Sequence, residues 1–106
     1  MFDTIIRGGT VLDGTGRPGF TADVGVTAGR ITAVDDLSAA QARRTIDASG
    51  KVVTPGFIDI HRHADAAAFR PGYGELELRQ GLTSIVNGNC GLSAAPFGGA
   101  HDAAIR

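Results

Sequence analysis

The chain has one cysteine and no long apolar run, and each of these shortages excludes a class of protein. With Cys90 alone among 106 residues, a disulfide within the chain is impossible, and a reducing compartment is expected. No apolar stretch approaches the roughly 20 residues that span a bilayer. Residues 1–7 lack the apolar core of a signal peptide. We therefore expect a soluble, cytoplasmic protein.

The chain also lacks an excess of either charge. Its formal net charge is −1 and its isoelectric point is about 6.2, so no long-range field attracts nucleic acid or an anionic membrane, and neither is expected as a partner. Hydrophobic residues make up 42% and charged residues 20%, a globular composition. A complete (β/α)₈ barrel needs about 250 residues, so 106 residues provide at most part of one.

Glycine is abundant, with 16 residues, and one group of glycines resembles a nucleotide-binding pattern. Gly14, Gly16 and Gly19 have the spacing of a dinucleotide-binding loop, and Asp35 follows at about the right distance. That loop must open a helix, because the pyrophosphate is bound by free backbone N–H groups at the helix start. Here an alternating, strand-like stretch, residues 22–26, follows instead. We interpret the glycines as a turn-rich loop.

Residues 1–55 are predicted to form a small antiparallel β module. Apolar and polar residues alternate over residues 22–26, and Ala28-Gly29 is a candidate hairpin turn. The connection over residues 35–42 is polar and rich in alanine, with room for a helical turn. The predicted strands are residues 2–7, 10–12, 22–26, 30–34, 44–47 and 51–54.

Residues 56–106 are predicted to begin an α/β domain. A short apolar run at residues 57–60 suits a strand buried on both faces, a helix is expected at 75–80, and a second strand at 82–86. A further helix is expected after Gly99. Since two parallel strands and one short helix cannot cover a sheet, we expect an N-terminal piece of something larger.

Two histidines at the end of the first of these strands indicate a metal site. His61 and His63 are two residues apart, so on an extended chain both rings point to the same side. Cys90 follows the second strand and reaches the same end of the sheet if the strands are parallel neighbours. Imidazole and thiolate both suit zinc. The alternatives are paired surface histidines and a small buried cysteine; His101 is left unassigned.

Neighbouring polar residues have several possible roles. Asp65 is expected either to orient an imidazole or contact substrate, or to form a local turn. Asn87 and Asn89 either support the Cys90 loop or form a turn, and Asn89 is also a candidate, with Asp65, for orienting a metal ligand or contacting substrate. Asp59 is expected to pair with backbone or arginine rather than metal, and Arg62 to point away from the histidines.

At this point the sequence resembles a known family. Residues 55–65, Pro-Gly-Phe-Ile-Asp-Ile-His-Arg-His-Ala-Asp, resemble the first barrel strand of the amidohydrolase superfamily. Residues 6–14 and 29–34 resemble the small β-sandwich of such enzymes. Residues 80–96, with Cys90, are similar to the N-acyl-D-amino-acid deacylase (D-aminoacylase) branch. The resemblance implies the first β/α units of a metal-dependent hydrolase barrel, residues 56–106, preceded by a β module, residues 1–55.

The resemblance also implies a chemistry and a site. His61, His63 and Cys90 match metal ligands of the family, with one or two zinc ions as the cofactor and a small N-acyl amino acid as the substrate. Zinc would polarise the amide carbonyl, and an aspartate would transfer the proton. That aspartate and two further histidines have no counterpart in this chain, so we expect it to be inactive alone and to associate with the remainder of the barrel.

Two other functions stay open on the sequence. The first is a different amidohydrolase, similar to dihydroorotase or hydantoinase, although Cys90 argues against that ligand set. The second is a β module without catalytic activity that associates with itself through unpaired strand edges.

Overall fold

The computed structural model describes residues 1–93, the side chain of Ala68 excepted, and the chain divides into two compact units, Met1–Pro55 and Gly56–Arg106. His101 and the helix predicted after Gly99 lie outside the described residues. Within the described part, no helix is long and apolar enough to cross a membrane. In the first unit the strands are β1 Phe2–Val11, β2 Phe20–Thr27, β3 Arg30–Asp35, β4 Ala42–Asp47 and β5 Val52–Val53.

The sheet of the first unit is mixed, so the prediction of an antiparallel module is wrong for two strands. Its order is β3-β2-β1-β4, with β5 also paired to β1. β1–β2 and β2–β3 are antiparallel, whereas β4 and β5 run parallel to β1. The connection after β3 brings the chain to the other edge of β1, because the Arg7 guanidinium donates to the carbonyls of Leu37 and Ala40, at 3.0 and 2.8 Å. That connection contains one hydrogen-bonded turn, Ala40 N–H to the Leu37 carbonyl, and no helix.

A glycine makes room for this connection. A Cβ on Gly25 would lie 2.5 Å from Cε1 of Phe2 and 3.0 Å from Cδ1 of Leu37, so only glycine lets both side chains lie against β2. Ile5 is fully buried, and Val11, Val24 and Ala48 complete the buried apolar residues of this unit.

The hairpin predicted at Ala28-Gly29 is confirmed, and the first strand is longer than predicted. Ala28 and Gly29 both have positive φ, 50° and 72°, as a tight turn between antiparallel strands requires. The two runs predicted at 2–7 and 10–12 form one strand, β1. Its register with β2 shifts between Ile6 and Gly9, and Gly8 has a φ of 71°.

The second unit contains a strand, a helix and a strand in the predicted order. β6 is Phe57–Asp59, α1 is Glu75–Arg79 and β7 is Leu82–Ile85, with 3₁₀ turns at Ala67–Phe69 and Asn89–Gly91. β6 and β7 pair in parallel. The prediction that residues 57–60 are buried is wrong, since Ile60 is 75% exposed. A parallel pair is covered only when helices lie on both faces, and the described part of this unit provides one helix of five residues.

Candidate metal centre

The structure brings together the three residues that the sequence singled out. One ligand atom from each of His61, His63 and Cys90 lies within 4.8 Å of the others. The thiol Sγ of Cys90 is 3.5 Å from Nε2 of His61. The two imidazole rings lie 5.4 Å apart between centroids and are inclined by 67°. All three side chains are exposed, so a ligand can reach them from solvent.

This convergence follows from the parallel pairing of β6 and β7. Asp59 pairs with Ile85 at the carboxyl ends of the two strands. Beyond the strands, Val86 N–H donates to the Asp59 carbonyl at 2.8 Å, and Arg62 N–H donates to the Val86 carbonyl at 3.1 Å. These bonds keep the two chains side by side for several residues. The segment with the histidines therefore lies next to the segment that leads to Cys90.

Cys90 reaches the histidines from a tight turn with an unusual backbone. Its φ is 56°, in the left-handed region that a residue with a Cβ rarely adopts. Gly88 and Gly91, with φ of 80° and 75°, lie on either side. The Asn89 amide Nδ2 donates to the carbonyls of Arg62 and Val86, at 3.1 and 2.8 Å. The turn thus depends on glycines and on one side-chain amide.

Asp65 and Asn87 connect the same two segments. Gly88 N–H donates to Oδ2 of Asp65 at 3.4 Å, and Ala64 N–H donates to Oδ1 of Asn87 at 3.3 Å. Each bond joins the chain after β6 to the chain after β7, so neither residue forms only a local turn. A contact of Asp65 with an imidazole or a substrate stays a prediction.

Arg62, between the histidines, has two acidic partners. Its guanidinium lies 3.4 Å from Oδ2 of Asp59 and donates to Oε1 of Glu77 on α1. Oδ1 of Asp59 accepts from His61 N–H at 3.2 Å, so Asp59 pairs with both backbone and arginine, as predicted. Glu77 is the partner that sequence reasoning missed. No local sequence pattern indicates this pairing, because the two residues are 15 apart in the chain.

The donor atoms fit zinc. Tetrahedral coordination with bonds of about 2.0–2.3 Å places neighbouring ligand atoms about 3.5 Å apart. The separation between Cys90 Sγ and His61 Nε2 has this value. Imidazole nitrogen and thiolate sulfur are both zinc ligands, and three protein ligands leave a fourth position for water or substrate.

Comparison with known proteins agrees with the resemblance noted in the sequence. The sequence profile described as "Amidohydrolase family" matches residues 44–104. An N-acyl-D-glutamate deacylase of Alcaligenes xylosoxydans xylosoxydans is 53% identical over 95 residues, covering 89% of this chain and 19% of that protein. A D-aminoacylase of the same organism is 47% identical over 100 residues, covering 94% of this chain and 21% of that protein.

Solved structures give the same picture. A D-aminoacylase studied for its binuclear metal centre matches with a TM-score of 0.84 and 54% identity, over 94% of this chain and 21% of that one. The N-acyl-D-glutamate deacylase of Bordetella bronchiseptica, complexed with zinc and a phosphonate inhibitor, matches with a TM-score of 0.83 and 49% identity, over 90% and 20%.

The chain therefore belongs to the amidohydrolase family. Within that family its similarity lies with the D-aminoacylase branch. It spans about a fifth of the length of the curated relatives it matches.

Proposed function

We propose that this chain supplies three zinc ligands, His61, His63 and Cys90, to an N-acyl-D-amino-acid deacylase. The reaction is hydrolysis of the N-acyl amide bond, which gives a carboxylate and a D-amino acid. The observation that carries the proposal is the convergence of the two imidazoles and the thiol within 4.8 Å at the ends of two parallel strands. Relatives with deacylase names, at 53% and 47% identity, support the substrate class.

In the proposed mechanism these residues bind and orient the metal. The two histidines offer neutral ring nitrogens, and Cys90 offers a thiolate, which carries one negative charge to the cation. When bound, zinc polarises the substrate carbonyl and lowers the pKa of a water molecule. The positive charge of Arg62 is compensated by two carboxylates, because its guanidinium is paired with Asp59 and Glu77. The proton transfer needs an acid–base group, for which we propose an aspartate outside this chain.

The fold supports this proposal in one further respect. We propose that β6, α1 and β7 are the first strand, helix and second strand of a (β/α)₈ barrel. In such barrels the active site lies at the carboxyl ends of the strands, where the two histidines and Cys90 lie. The exposed apolar residues of β6 agree with a strand that further barrel units cover.

Metal binding tests the ligand set directly. The full chain is titrated with Co²⁺, which substitutes for zinc and gives a charge-transfer absorption when a thiolate binds it. We expect this absorption in the wild-type chain and its loss in Cys90→Ala. The matched control is Ser84→Ala, since Ser84 is an exposed residue within β7, paired with Ile58, and is not one of the three candidate ligands. An absorption that survives Cys90→Ala, or a wild-type chain without it, contradicts the proposal.

Activity is tested at the level of the reaction. We expect no hydrolysis of N-acetyl-D-amino acids by the isolated chain with added zinc. In a protein that carries this chain together with the remaining barrel, we expect hydrolysis that Cys90→Ala reduces by at least about 100-fold. Hydrolysis of a cyclic diamide by that protein, without action on N-acyl-D-amino acids, would support the hydantoinase-like alternative instead.

A further inference from the structure

The side chain of Asn89 spans the two segments that carry the candidate metal ligands. We propose that Asn89 is a positioning residue, whose amide fixes the distance between Cys90 and the histidines before any metal is bound. Its effect on metal affinity rests on the proposed function, whereas its effect on the geometry of the chain does not.

Both N–H groups of the Asn89 amide have acceptors in different segments. A primary amide has two N–H donors on one nitrogen. Nδ2 of Asn89 donates to the Arg62 carbonyl at 3.1 Å and to the Val86 carbonyl at 2.8 Å. The Arg62 carbonyl belongs to the peptide bond between Arg62 and His63, and so lies between the two histidines in the chain. Holding that carbonyl therefore limits the backbone rotation that would turn the two rings apart.

The backbone of Cys90 needs such an anchor. A φ of 56° is strained for a residue with a Cβ, so the turn relaxes unless other contacts hold it. The turn itself spans three residues, and Leu92 N–H donates to the Asn89 carbonyl at its end, at 3.0 Å. Asn89 is adjacent to Cys90, and its side chain fixes the turn to both strands. Release of the amide would let Sγ move from its position 3.5 Å from His61.

The two hydrogen bonds from Nδ2 to the carbonyls of Arg62 and Val86 require a side chain with N–H donors, as asparagine has. Aspartate has the same shape without N–H donors, and it would place a negative charge against two carbonyl oxygens. Leucine has the same branching at Cγ and no polar atom. The nearby Asn87 has a different role, because its Oδ1 accepts a hydrogen bond from Ala64 N–H.

The first arm of the test is free of metal. In the full chain we expect a nuclear Overhauser contact between the Cys90 Hβ protons and a ring proton of His61. We expect Asn89→Leu and Asn89→Asp both to lose it while residues 57–59 and 82–85 keep the amide resonances of the strand pair. The matched control is Gln80→Leu, because the Gln80 amide donates to the Leu76 carbonyl away from the site. The control should retain the contact.

Three results would overturn the inference. One is a wild-type chain without the contact, and another is its survival in either Asn89 variant. The third is loss of the strand pair itself in both variants, which would make Asn89 a general support of the unit rather than a positioning residue.

The second arm measures Co²⁺ affinity in the same variants. We expect Asn89→Leu to bind about 10- to 100-fold more weakly than wild type and to show an altered thiolate absorption, with Gln80→Leu unchanged. Equal affinity in Asn89→Leu would also overturn the inference. A wild-type chain that shows the proton contact but no Cys90-dependent absorption would contradict the proposed function and leave the positioning role intact.

Discussion

Three aspartates of the first unit use the same local hydrogen bond. Asp13, Asp36 and Asp47 are each followed two residues later by a threonine or serine, and their carboxylates accept from Thr15, Ser38 and Ser49. These bonds lower the pKa of each carboxyl below its usual 3.8. Because the pKa is lower in the folded state, the contribution to stability is present above pH 3.8. It is lost as the pH falls through the folded-state pKa.

Replacing the serine beside Asp47 tests this arrangement. The side-chain bond from Ser49, 2.6 Å long, is the largest cause of the lowered pKa of Asp47, whereas the backbone bond from Ser38 is the largest at Asp36. We therefore expect Ser49→Ala to raise the pKa of Asp47 more than Ser38→Ala raises the pKa of Asp36. Carboxyl ¹³C NMR titration measures both, and equal changes would contradict the assignment.

The hairpin turn contains a residue that glycine would replace favourably. Ala28 has a φ of 50°, which an L-residue with a Cβ adopts at a cost of about 1 kcal/mol. Ala28→Gly is expected to raise the free energy of unfolding by about 1 kcal/mol, measured by urea denaturation. As a control, Ala22→Gly in the extended β2 should lower it by about 0.5–1 kcal/mol. A destabilised Ala28→Gly protein would show that the turn gains nothing from glycine.

At the scale of elements, an ion pair joins α1 to the segment that follows β6. Arg62 donates to Glu77, whose side chain is only 12% exposed. A second pair on the same helix, Glu75 with Arg79 at 2.7 Å, is largely exposed. Exposed pairs of this kind contribute little, because water and salt screen the charges. Of the two ion pairs on this helix, the less exposed Arg62–Glu77 pair is therefore expected to contribute more to stability than the Glu75–Arg79 pair.

Neutralising each glutamate separates these contributions. Glu77→Gln is expected to lower the free energy of unfolding of the second unit by about 1–2 kcal/mol, since it weakens a charge-assisted bond to a half-buried arginine. Glu75→Gln should change it by less than about 0.5 kcal/mol. Hydrogen exchange of the Leu78 and Gln80 amides reports the local effect. Equal protection in both variants would show that the Arg62 pair does not fix α1.

The elements also show what the sequence can predict. Local signals, the Ala28-Gly29 turn and the alternation over residues 22–26, predicted the hairpin correctly. The direction and place of β4 were not predictable, because residues 44–47 carry no apolar pattern that distinguishes parallel from antiparallel pairing. They depend on distant contacts, such as Arg7 with the carbonyls of Leu37 and Ala40.

The same limit applies to the candidate site. Spacing and strand position predicted that His61, His63 and Cys90 lie together. The Arg62–Glu77 pair joins residues 15 apart and the Asn89–Arg62 bond residues 27 apart, and no local pattern encodes either pairing.

At the scale of the whole molecule, exposed apolar side chains are concentrated in the second unit. Phe69 is 88% exposed, the largest value among the exposed large apolar residues described. Exposed apolar side chains favour association with another surface, because association removes them from water. The exposed apolar residues of this unit are Phe57, Ile58, Ile60, Phe69, Leu76, Leu78, Val86 and Leu92.

These exposed apolar side chains predict self-association of the isolated chain. We expect the weight-average mass from sedimentation equilibrium to rise with concentration, and the double variant Phe69→Ser with Leu76→Ser to reduce the rise. Ile31→Ser is the control, since Ile31 is 68% exposed but belongs to the first unit. A chain that sediments as a monomer at every concentration would contradict the prediction.

The central place of β1 has a consequence for synthesis on the ribosome. β1 is translated before the other strands of its sheet, and its partner β2 follows within the next 16 residues, but its partner on the other edge, β4, ends only at Asp47. At about 5–20 residues per second, that edge of the nascent sheet stays unpaired for on the order of a second or more between the synthesis of β2 and the synthesis of β4. During this interval the edge offers unpaired amides and carbonyls to a neighbouring nascent chain. We therefore expect wrong pairing of β1 with a strand of another nascent chain to occur mainly where ribosomes are closely spaced on one messenger RNA.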